Sequence, residues 1–133
     1  MLKMTEASAI ALHSLIYIAG RKEKVSSLKE IAKKFDISEN HLSKVLQRLV
    51  KEGIITSSKG PKGGFLIVPR KRNISFLEVY EIIEGRVKIN NCLFNSNSNS
   101  NDCSDCIMDD LLTRLNNEFI SYMKTHKISD FSF

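Results

Sequence analysis

No apolar run in this chain approaches the roughly 20 residues needed to span a bilayer. The most apolar stretch, residues 7–20, is short and interrupted by His13 and Ser14. A secretory leader is not expected either, because Glu6 occupies the place of a basic n-region. No Ser-His-Asp order, phosphate-binding loop or carboxylate pair makes a case for an enzyme. Cysteine is scarce and odd in number: Cys92, Cys103 and Cys106 cannot all pair within one chain. Together these absences point to a soluble cytoplasmic protein that is not an enzyme and has no membrane partner. In that reducing compartment the thiols favour metal binding or redox sensing over a structural disulfide.

What is present is charge, unevenly placed. The 133 residues carry a net charge of +5, enough chain for one domain, or for a compact domain with a dimerisation arm. Residues 21–72 hold 14 Lys/Arg against five Asp/Glu, whereas residues 73–133 hold five against nine. A basic middle beside an acidic end suggests a polyanion partner for the middle alone. A merely solvated charged surface would look the same by composition.

The order of elements narrows the choice. Residues 5–19 predict a helix, N-capped by Thr5 and stopped by Gly20. It is apolar on nearly every face, which calls for burial on several sides and hints at a subunit interface. Residues 27–35 predict a short helix with a Ser27/Glu30 capping box. After a break, Ser38 caps a third helix over 39–52, which Gly53 ends. Two helices joined by a short turn, the second longer and basic, make a helix-turn-helix. Short β-rich runs at 54–57 and 65–68 flank Gly60, Pro61, Gly63 and Gly64, a hairpin placed as a wing. A further capped helix spans 75–84, with a Ser75/Glu78 box, and a last one spans 107–124. The broad apolar stripe of the last helix suggests dimerisation. The fold class is mainly α with a small β-hairpin wing: a winged helix-turn-helix in residues 1–85, a cysteine-containing sensor loop in 86–106, and a long C-terminal dimerisation helix and tail in 107–133.

A helix-turn-helix directs the start of its second helix into the major groove. That selects Asn40, His41, Ser43 and Lys44 as residues able to reach base edges. Lys33, Lys34, Gln47 and Arg48 suit phosphates, and the wing-tip Lys59 and Lys62 suit the minor groove. The three cysteines surround an Asn/Ser tract at 95–101 and, by residue type alone, are open to metal ligation, a disulfide, redox chemistry or no role.

The stretches ALHSLIYIA, SSLKEIAKKFDISENHLSKVLQRLVKEGII, SKGPKGGFLIV and ISFLEVYEIIEG, in this order, resemble the Rrf-two family of bacterial winged-helix regulators. The similarity covers about residues 2–85, more loosely the last helix and KISDF. The resemblance implies a homodimer on palindromic double-stranded DNA, acting as a transcriptional regulator, expected to be a repressor. It also implies an iron–sulfur cluster, 2Fe–2S or 4Fe–4S, in the loop before the last helix, sensing redox, nitric oxide or iron status. Its ligands would be Cys92, Cys103 and Cys106, with His13 of the first helix as a candidate fourth. Asp102, Asp105, Asp109, water or a small thiol could also fill that place, and a core histidine is the plainer reading of His13. Alternatives are zinc, no cofactor with control by thiol oxidation or a protein partner, and a CSDC oxidoreductase, which lacks its βαβ setting. This chain departs from the family pattern in two ways: gaps of ten and then two residues between its cysteines, and Lys59 in place of the wing arginine.

Overall fold

The computed structural model describes residues 3–87 and 107–131. Five helices and one hairpin follow in order: α1 (Glu6–Gly20), α2 (Leu28–Phe35), α3 (Glu39–Lys51), β1 (Ile55–Ser58), β2 (Gly64–Ile67), α4 (Phe76–Glu84) and α5 (Leu111–Thr125). Single 3-10 turns lie at Pro69–Lys71 and Ile128–Asp130. No helix among the described residues is long and apolar enough to cross a membrane.

α1 is the central post. It packs against α3, α4, β2 and the C-terminal 3-10 turn, so Ile10, Ala11, Leu12, Leu15, Ile18 and Ala19 are all buried. The all-round apolarity of α1 is thus accounted for largely by packing within its own chain. Its start is fixed as expected: Thr5 Oγ1 accepts from Ser8 N–H, and Ser8 Oγ accepts in return from Thr5 N–H. Thr5 Oγ1 also donates to Glu84 at the end of α4.

The Ser27/Glu30 box of α2 is complete, with distances of 3.2 and 2.7 Å. The Ser75/Glu78 box of α4 is only half formed. Glu78 N–H donates to Ser75 Oγ, but Ser75 pairs as an isolated antiparallel bridge with Lys127. Phe76 N–H donates to His126 O and Ile128 N–H to Ile74 O, so the tail after α5 occupies the strand-like edge before α4. α5 begins at Leu111, four residues later than the sequence suggests, because residues 107–110 form turns and Asp109 has φ of 51°. A non-glycine residue in that left-handed region interrupts helical propagation.

Candidate nucleic-acid interface

The helix-turn-helix is built by three local devices. Asp36 closes α2 in the left-handed conformation, φ 52°, while Ile37 N–H donates to Ala32 O at 2.9 Å. Ser38 then caps α3 by accepting from His41 N–H at 3.1 Å. Leu42, Val45, Leu46 and Leu49 are buried on the inner face of α3, anchoring it against α1 and α2. Helical spacing consequently puts Asn40, Lys44, Gln47 and Lys51 on one outer stripe, and all four are exposed. Ser43 flanks that stripe, half-buried.

The opposite flank is turned toward the body of the protein. His41 Nδ1 lies 3.9 Å from Glu6 Oε1 of α1. Arg48 donates through Nη1 to Ile83 O at 2.9 Å and through Nη2 to Ile82 O at 2.8 Å. Its guanidinium thereby satisfies carbonyls at the C-terminal end of α4, where helices leave acceptors unpaired. Nothing in the helix periodicity of α3 announces this, because the acceptors lie more than 30 residues away.

β1 and β2 form an antiparallel hairpin with Ile55 opposite Ile67 and Ser58 opposite Gly64. Ile55, Phe65 and Ile67 point inward and are buried, which fixes the wing on the core. Its tip carries exposed Lys59 and Lys62. Gly60 has φ of 102°, and Gly63 N–H donates to Gly60 O at 2.9 Å. A Cβ on Gly63 would stand 2.3 Å from Ser58 O, so the tight tip requires glycine there. Ser26, just before α2, exchanges backbone hydrogen bonds of 3.0 and 2.8 Å with Phe65, locking the wing to the helix-turn-helix. Between the start of α2, Gln47 of α3 and the wing lies a groove of about 450 Å³, edged by Ser27, Lys29, Ser57 and Lys59. Lys29 and Lys51 are exposed cations on this same surface that the sequence reading did not single out. Lys33 and Lys34 are exposed on α2.

His13 is exposed rather than a core histidine. Its Nδ1 is 2.8 Å from Ala9 O, and its ring meets Phe35 edge-on with centroids 5.7 Å apart. It edges a shallow cavity of about 280 Å³ with Glu6, Phe35 and Asp36. Cys92, Cys103, Cys106, Asp102 and Asp105 lie outside the described residues. Among the described residues, no three of His, Cys, Asp and Glu converge as a metal site.

A two-stranded wing behind a basic second helix, all on a helical core, defines a winged-helix protein of the transcription-regulator type. The chain belongs to the Rrf2 family, whose model, described as iron-dependent transcriptional regulator, matches residues 4–132. It is similar to the transcriptional regulator NsrR of Shouchella clausii, 34% identical over 100 residues that cover 74% of this chain and 66% of that one. NsrR of Halalkalibacterium halodurans is 33% identical over 100 residues, covering 74% and 68%. Across curated relatives the chain spans from 38% to 84% of their length. Among solved structures, CymR, the global cysteine regulator of B. subtilis, superposes with a TM-score of 0.79 at 20% identity, covering 99% of this chain and 97% of CymR. IscR of T. potens does so with a TM-score of 0.70 at 20% identity, covering 97% and 85%. At such identities the superpositions establish the fold.

Proposed function

We propose that this transcriptional regulator binds palindromic double-stranded DNA as a homodimer in the cytoplasm, as a repressor. In that role Asn40, His41, Ser43 and Lys44 read bases. Lys33, Gln47 and Arg48 meet phosphates, and Lys59 and Lys62 enter the minor groove. The observation that carries this reading is the exposed stripe of Asn40, Lys44, Gln47 and Lys51, which continues into the lysine-tipped wing. Such a surface offers phosphate-neutralising cations beside groups able to bond base edges. The Arg48 guanidinium already serves α4, so a phosphate contact from it would have to share those donors.

Dimerisation rests on α5. Leu112 and Met123 are buried, Met123 within the core, whereas Leu111, Leu115 and Tyr122 are exposed along an adjacent face, with Ile107 exposed just before the helix. A row of large apolar side chains on one helix face suits a second copy of the same helix.

The sensing element in this reading is an iron–sulfur cluster on Cys92, Cys103 and Cys106, with His13 as fourth ligand. Thiolates are the soft donors such clusters take, the family is described as iron-dependent, and the chain holds three thiols in the segment before α5. His13 fits on two counts: its side chain is exposed, and the Nδ1 contact with Ala9 O leaves Nε2 as the outward ligand atom. The group would supply a redox- and nitric-oxide-reactive centre. Anaerobic reconstitution tests it: visible colour, bound iron and sulfide, and a change in duplex affinity should all be lost in Cys92→Ala. Retention of all three in that variant removes Cys92 from the ligand set. Reconstituted protein without iron or zinc, whose duplex affinity changes on thiol oxidation, replaces the cluster by the thiol switch.

A further inference from the structure

We propose that the cleft between the α1–α2 connection and the outer face of the wing binds a small organic carboxylate with an apolar body. The cleft has a volume of about 950 Å³, the size range of small-molecule sites. Its floor comes from Leu66, Val68 and Pro69, and its rim from Arg21, Lys22, Lys24 and Arg72, with Glu23 as the single carboxylate.

Two features separate this cleft from an ordinary charged surface. Strand alternation sends Ile55, Phe65 and Ile67 into the core and leaves the cross-strand pair Thr56 and Leu66 on the other face, so the wing presents an apolar wall here. The rim cations are mostly unspent. Arg21 is paired with Glu30 at 2.8 Å, but Lys22, Lys24 and Arg72 have no ion pair among the described residues. A carboxylate is the acceptor whose planar geometry matches the guanidinium fork of Arg21 and Arg72. The apolar floor under these donors distinguishes a carboxylate carried on an aryl or alkyl body from a bare phosphate, which gains nothing from Leu66 and Pro69.

The cleft is separate from the groove beside α3, which is edged by Lys29, Gln47 and the wing tip. The proposal therefore does not rest on the DNA reading, and a nucleic-acid phosphate is its competing occupant. Titrating the full chain with benzoate, octanoate, benzamide and inorganic phosphate, followed by backbone amide NMR shifts, distinguishes the two. Benzoate or octanoate should bind saturably with Kd near or below about 1 mM and shift amides of residues 21–24 and 66–72, with benzamide and phosphate at least about tenfold weaker. Arg72→Gln should weaken the carboxylates about tenfold or more without altering the far-ultraviolet spectrum. The exposed Lys24→Gln should weaken them too, and it gives the same reading if Arg72→Gln fails to fold. The proposal is overturned if no carboxylate binds saturably, if neither variant changes the affinity, or if phosphate binds as tightly as benzoate. It is also overturned if both variants instead weaken duplex binding while carboxylate affinity stays unchanged.

Discussion

Lys44 and Arg48 sit one turn apart on α3 and face different partners. Lys44 is exposed at the centre of the outer stripe, whereas Arg48 bonds two carbonyls of α4. Replacing Lys44 by Ala should relax sequence preference, and Lys62→Ala at the wing tip should weaken all duplexes alike and lower the salt slope by about one. Affinity panels over related sites check this pair, and identical behaviour of the two variants would erase the division of roles. Arg48→Ala is expected to act first on the fold, costing about 1.5–3 kcal/mol as two charge-assisted bonds are lost and α4 carbonyls are left unpaired. Thermal unfolding in the absence of DNA reads that loss; an unchanged midpoint would return Arg48 to a purely phosphate-binding part.

Elements show what local sequence can announce. Thr5, Ser27, Ser38 and Ser75 all cap the helices whose starts they mark, and the wing lies within a residue of its expected bounds. Those signals are written within four residues, so they survive in a one-dimensional reading. What was not legible is non-local. The Ser26–Phe65 bridge, the Arg48 contact with α4 and the pairing of Ser75 with Lys127 join residues roughly 40, 35 and 50 positions apart. The late start of α5 escaped because helix periodicity continues upstream of Leu111, while the backbone turns at Asp109.

The junction of α1 and α2 carries a titrating group with a clear sign. Burial pushes the Glu30 carboxyl up, but the Ser27 N–H, the Tyr17 hydroxyl and Arg21 together outweigh it and hold it below its ordinary 4.5. A depressed folded-state value means that the stabilisation is present above the unfolded value and is lost as pH falls through the folded one. The native chain should therefore lose more stability than Glu30→Gln between about pH 5 and pH 3, as measured by denaturant midpoints. Equal losses would mean that ionisation of Glu30 is not coupled to folding.

At the scale of the whole molecule, charge and apolar surface are segregated. The cations concentrate in residues 21–72, on α2, α3, the wing and the connections beside them, while α5 presents Leu111, Leu115 and Tyr122 to solvent. Two copies joined through α5 would present two basic modules to successive turns of a duplex, and Leu115→Glu should favour the monomer by placing a charge in that contact. Sedimentation equilibrium reads the shift, and an unaltered dimer would move the interface elsewhere. The ligand set of Cys92, Cys103 and Cys106 was only implied by the family resemblance, and those residues lie outside the described ones. His13 was legible as a polar break in an apolar helix, though its exposure was not.

The central claim is that the basic face of α2, α3 and the wing grips the phosphates of double-stranded DNA. Fluorescence anisotropy of the purified protein on a labelled duplex pool, titrated between 50 and 200 mM salt, tests it most directly. A dimer making about 6–10 phosphate contacts should lose about 10³–10⁵ in affinity across that range. An affinity that ignores salt, or no complex with duplex DNA at the lowest salt, would contradict the account.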